Sequence, residues 1–164
     1  MIIDIDDWKF DVDLTATMEY SAAEAAEHCT CGYCRNFYTA VDAAYPNLRP
    51  FFARFGIDIE APEELSPYEG TLLDACYAVN GKVLHRGRKP MIVDGLPIDV
   101  FDAEENDINV NCPNPNFVLS TGLMEVPWVL DEPMDEVVSA ANEPSFLQKM
   151  WDRLINLLPN TPYQ

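Results

Sequence analysis

Three of the chain's five cysteines fall within six positions of the stretch "AEHCTCGYCRNFY", residues 26–38, and a histidine directly precedes the first. Thiolates are both metal ligands and nucleophiles, so their crowding raises two kinds of chemistry. Cys29, Cys31 and Cys34 have C-x-C-x-x-C spacing, which lets three sulfurs converge on one ion at about 2.3 Å. A structural zinc site wants four ligands. His28 is the adjacent candidate, and Cys112, Cys76 or His85 could supply the fourth from farther along the chain. An iron–sulfur cluster would also want a fourth thiolate, and the spacing is not that of the ferredoxin runs. Redox chemistry would use Cys31-Gly32-Tyr33-Cys34, placed just before an expected helix, because the positive end of a helix dipole lowers a thiol pKa. The third reading is packing. Cys34, Phe37, Val41 and Ala44 share one helical face, and free cysteine behaves as a small buried hydrophobe. On the residues alone packing leads, a metal site follows, and redox comes third.

Two resemblances attach to these residues. The tetrapeptide Cys31-Gly32-Tyr33-Cys34 is similar to the Cys-x-x-Cys of the glutaredoxin and thioredoxin family. That likeness implies Cys31 as attacking and Cys34 as resolving cysteine, and it covers four residues. The longer "HCTCGYCRNF" resembles a C-x-C-x-x-C-x-N-F motif of small uncharacterised bacterial proteins. It implies a bacterial relative and brings no activity with it.

Other chemistry is sparse. A cysteine nucleophile would need a base, and His28 and His85 are the two histidines present. No Gly-x-Gly-x-x-Gly, P-loop or His-Glu-x-x-His occurs. Asp4, Asp6, Asp7, Asp11 and Asp13, and the run "DAEEND" at 102–107, lack the bend glycine common in calcium loops, so both read as solvated faces. Lys82, Arg86, Arg88 and Lys89 crowd four of ten bases beside His85. They read as a turn balancing acids on a neighbouring strand, or as a contact for an acidic group.

The elements that must position the cysteines follow from periodicity. Trp8 to Tyr20 alternate apolar and polar, which predicts a strand with one wet face. Ser21 with Glu24 predicts a capping box opening a short Ala-rich helix. Phe37, Ala40, Val41 and Ala44 predict a helix ended by Pro46, and Leu48, Phe51, Phe52 and Phe55 another stopped at Gly56. Residues 57–70 read as a loop. Asn80-Gly81 and Asp94-Gly95 predict hairpins. Cys112 is expected at a strand end, and "FVLSTGLMEVPWVL" as one strand or two, with Pro127 marking an edge or a bulge. Two closing helices are expected, over 134–141 and 142–158. The sum is α+β: one antiparallel, hairpin-built sheet, with N-terminal helices after the first strand and a C-terminal helix packed on one face. Phe10, Leu14, Phe37, Val41, Phe52, Tyr77, Trp128, Trp151 and Leu154 are the expected core.

The 164 residues fit a single acidic domain, residues 1–164. A formal charge of −18 opposes binding to nucleic acid and to anionic membranes, whose affinity for proteins rests on Lys and Arg. It suits a basic protein partner, since opposite charge speeds encounter. The start "MIIDIDDWKFDVD" carries acids where a signal peptide needs a basic region, and the odd cysteine count argues against a disulfide framework. A cytoplasmic setting is therefore expected. The leading functional expectation is a non-catalytic binding module for a basic protein. The alternative is a structural zinc or thiol-redox protein using Cys29, Cys31 and Cys34, with His28 as fourth ligand and Cys112 or His85 as substitutes.

Overall fold

The computed structural model of the protein describes residues 1–27, 29–102, 111–113 and 115–134. In chain order its elements are β1 (Ile2–Ile5), β2 (Trp8–Val12), α1 (Leu14–Ala26), α2 (Gly32–Ala44), α3 (Leu48–Ala53), β3 (Glu64–Pro67), β4 (Leu72–His85), β5 (Met91–Val93), β6 (Leu96–Asp102), β7 (Asn116–Ser120) and β8 (Met124–Glu125). The strands form one antiparallel sheet ordered β1-β2-β4-β7-β6-β5, with β3 and β8 also paired to β4. The α+β class and the single antiparallel sheet agree with the sequence pattern. The closing helices, with Trp151 and Leu154, lie outside the described residues.

β4 is the spine. Its first half pairs with β3 on one edge and with β7 and β8 on the other; its second half pairs with β2. The expected Asn80-Gly81 hairpin does not form. Asn80 stays in the ladder opposite Asn116, and its N–H and C=O are held by Thr17 Oγ1 (3.1 Å) and the Asp13 N–H (2.9 Å). Glycine serves a different need there. A Cβ on Gly81 would stand 2.2 Å from the Asp11 carbonyl oxygen, so only glycine lets β2 close onto β4. At Asp94-Gly95 the hairpin does form. Both residues have positive φ (50° and 83°), as a type I′ turn requires, and Val93 faces Leu96.

Alternation holds through Trp8, Phe10 and Val12, all buried, and then stops. Residues 14–20 are helical instead. Asp13 accepts the Ala16 N–H at 3.0 Å, and Thr17 donates its hydroxyl to the Asp13 carbonyl at 2.8 Å, so Asp13 is the cap. Ser21 caps nothing. It lies buried within α1 and accepts the Asp58 N–H at 2.9 Å. The first two strands form a hairpin about Asp6, whose φ of 51° an aspartate tolerates. β3 is an edge strand inside the expected loop. The 116–125 region forms two short strands, with Pro127 just beyond the second. Cys112 is buried in a bend ahead of β7, not in a strand.

α2 and α3 add Phe37, Ala40, Val41, Leu48, Phe51 and Phe52 to the sheet's core. Aromatic rings make its centre: Phe52 lies 4.6 Å from Tyr77, and Phe10 lies 5.3 Å from both Phe55 and Phe117. The buried Tyr77 hydroxyl donates to the Ile59 carbonyl at 2.8 Å, which satisfies the one polar atom of the ring. Leu14 packs against this core half-buried, and Trp128 is half-exposed.

Asp74 is buried in β4 and accepts the Cys76 thiol proton at 3.4 Å. Burial pushes its carboxyl up to about 6, against the Cys76 hydrogen bond, which lowers it. A carboxyl raised on folding costs nothing while both states are protonated. Stability is lost as pH climbs from the ordinary carboxylate range through about 6, and stays lost above. Asp74→Asn keeps an acceptor for Cys76 and removes the charge. It should raise the unfolding free energy at pH 7 by about 1–3 kcal/mol. Denaturant titrations should show that gain shrinking to nothing by about pH 4.

Candidate metal centre

The chain leaves α1 when the Glu27 N–H closes on the Glu24 carbonyl at 3.0 Å. It re-enters a helix at Cys31, the N-cap of α2, whose extended backbone (φ −66°, ψ 163°) turns it in without a side-chain cap. The Cys31 thiol is thus not engaged as a cap. Cys34 lies one turn into α2, on the face that also buries Phe37 and Val41. Cys29, Cys31 and Cys34 thereby place their three sulfurs within 4.8 Å of one another. A tetrahedral ion with 2.3 Å bonds to sulfur separates its ligands by about 3.8 Å, so the group is sized for one ion.

The three thiols differ in setting. Cys29 and Cys31 are exposed and Cys34 is buried. The Cys31 backbone N–H, helped by the Cys31 and Cys34 side chains, holds the Cys29 thiol below its ordinary range. Burial pushes Cys34 the other way, and the neighbouring thiols add to it. Tyr38, one turn further along α2, is hydrogen-bonded to Cys34, and its hydroxyl is raised chiefly by burial. The group therefore has a wet side and a dry side, the dry one backed by a phenol that could donate to a bound thiolate.

Of the other expected ligands, His28 lies outside the described residues. The structure does not bring the remainder to the sulfurs. His85 is exposed at the far end of β4 opposite Lys9, and Cys76 is buried beside Asp74. Cys112 is buried elsewhere, its thiol pushed up to about 11 by burial. Among the described residues no further Cys, His, Asp or Glu joins the three. The basic stretch is partly tied down by acids: Arg86 pairs with Asp102 at 2.6 Å, and Asp7 accepts from the Arg88 backbone and guanidinium at 3.1 and 3.3 Å. A groove of about 300 Å³ between α1 and the end of α3, lined by Met18, Ala22 and Ile57, contains none of the cysteines.

Of three neighbours of the triad, Asn36 entered the sequence pattern only as a motif letter, and Arg35 and Tyr38 were not singled out. Arg35 donates to the Thr30 carbonyl at 3.0 Å and pairs with Glu132. Asn36 and Tyr38 complete the set. Tyr38 follows Cys34 by four residues, a spacing that puts both on one helical face and could have signalled the contact. Comparison with family models, curated proteins and solved structures gives no match. No helix of the described residues is long and apolar enough to cross a membrane.

Exposure and the lowered thiol set Cys29 apart. With limiting iodoacetamide at neutral pH, peptide mapping should find Cys29 alkylated well before Cys34, Cys76 or Cys112. Equal labelling of Cys29 and Cys76 would contradict this account of the thiols.

Proposed function

We propose that the protein binds a thiophilic metal ion of the zinc class, with Cys29, Cys31 and Cys34 as ligands and a structural role for the ion. The mutual approach of the three sulfurs carries this reading. The elements that meet there support it too, since the triad joins the loop after α1 to the first turn of α2. An ion at that junction would be bound by folded chain and released on unfolding, so its binding energy adds to stability. Thiolate ligation also requires Cys34 to lose a proton despite burial, and the cation supplies the charge that makes this favourable. His28 remains the sequence-adjacent candidate for a fourth ligand.

Competition titration of the reduced protein against a chromophoric zinc chelator should give one ion per chain. Cys34→Ser should weaken binding roughly 100-fold, and cobalt(II) should produce thiolate charge-transfer absorption. Absence of ion, or affinity unchanged with all three cysteines replaced by serine, would refute the reading.

A second reading, a basic protein partner, is supported by how the cations are placed. Lys9, Arg35, Arg49, Arg86 and Arg88 all have acidic partners within the chain. The chain as a whole carries a formal charge of −18. Such a partner should associate faster at low salt than at high salt in surface-plasmon measurements, because steering is screened. Salt-independent association would remove this reading.

A further inference from the structure

The first turn of α2 has a second set of contacts. While Cys31 and Cys34 gather with Cys29, Tyr33, Arg35 and Asn36 hold the segment 126–132 that follows β8. Asn36, 2% exposed, grips its backbone from both directions. Its side-chain Nδ2 donates to the Pro127 carbonyl at 3.0 Å, and its Oδ1 accepts the Val129 N–H at 2.7 Å. Tyr33 packs edge-on against Trp128, with ring centroids 5.6 Å apart. The Trp128 indole N–H donates to the Glu132 carbonyl at 2.8 Å, folding the segment's end back on itself. Arg35 joins the two sides. Its Nε donates to the carbonyl of Thr30, the residue between Cys29 and Cys31, and its Nη2 pairs with the Glu132 carboxylate.

We infer that ion binding at the cysteine triad and seating of the 126–132 strap on α2 are thermodynamically coupled, with Arg35 as the positioning residue between them. The inference rests on the metal-binding reading. An ion bonded to Cys29 and Cys31 fixes the peptide between them, and with it the Thr30 carbonyl. That carbonyl holds one edge of the guanidinium whose other edge holds Glu132. Ordering the loop therefore removes part of the entropy cost of ordering the strap, and the converse is required by linkage. Occupancy of the site would thus be read out on the strap's own surface, at Trp128, Val129 and Glu132. Val129 is 50% exposed, so that surface meets solvent.

The test is amide hydrogen exchange on the full reduced chain, with and without stoichiometric zinc, alongside the zinc affinity. Zinc should slow exchange across 126–132, with the Val129 amide slowed about 10-fold or more, an effect of ordinary allosteric size. Arg35→Ala leaves the triad intact and should still bind one zinc, about 10-fold more weakly, with most of the slowing gone. Glu132→Gln cuts the same link from the strap side and should do likewise. Reciprocity requires the affinity loss in each variant to match its loss of protection, which a purely structural role would not produce. Zinc bound with exchange at 126–132 unchanged would overturn the coupling and leave the metal reading standing. Full slowing in Arg35→Ala would overturn the role of Arg35. Failure of the wild-type chain to bind zinc would overturn both readings together.

Discussion

Everything in this molecule hangs on the passage of β4 through Asn80-Gly81. A strand of 14 residues accepts four partners because it does not turn there. The reason is local competition. Asn80 satisfies its backbone through Thr17 and Asp13, which belong to the start of α1, and the Gly81 N–H donates to the Pro115 carbonyl at 2.8 Å. Those bonds favour the extended path over the turn that Asn-Gly prefers in isolation. The bare Cα of Gly81 then admits the Asp11 carbonyl, and the N-terminal hairpin becomes part of the sheet. Helix α1 and the sheet are tied at the same point, so the helical layer inherits its position from it.

From that anchor the site is set by α2. One face of the helix is held in the core by Phe37 and Val41, each fully buried. This leaves little freedom for its first turn, and Cys34 sits where the core meets the surface. The charge around the helix is managed by a few cations. Arg49 reaches Asp42 in α2 and both Asp58 and Glu60 in the loop beyond α3, at 2.9, 3.4 and 2.6 Å. The Asp42 hydrogen bond leads in raising the guanidinium's proton affinity. A single exposed pair is worth little, but one guanidinium shared by three carboxylates from separate stretches forms a network.

The parts of the fold legible in the sequence were those where one local signal stood unopposed. The 3.6-residue repeat of Phe37, Ala40 and Val41 gave α2, and Asp94-Gly95 between short apolar runs gave its hairpin. The strand pattern failed at Leu14 because Asp13 caps a helix there, and that helix buries Thr17 and Ser21 while leaving Met18 exposed, so the alternation does not mark its packed face. Asn80-Gly81 misled because its fate is fixed by residues more than sixty positions earlier. At the site, spacing alone named Cys29, Cys31 and Cys34. It could not tell convergence from packing, since that depends on the angle at which Cys31 enters α2. The distant candidates His85 and Cys112 sit elsewhere, His85 at the far end of β4 opposite Lys9 and Cys112 in the bend ahead of β7, placements that no local pattern encodes.

The β2–β4 pairing has a consequence for how the chain is made. Val12 faces Gly81 and Lys9 faces His85, so about seventy residues must leave the ribosome before β2 meets its neighbour. At roughly 5–20 residues per second the hairpin of β1 and β2 waits on the order of 4–15 s with one edge open. Nascent chains carry such an edge as a hazard, because bare strand edges recruit one another. Lys9 and the aspartates at 4, 6, 7, 11 and 13 put charge along that hairpin during the wait, so neighbouring chains on a polysome repel before they can pair.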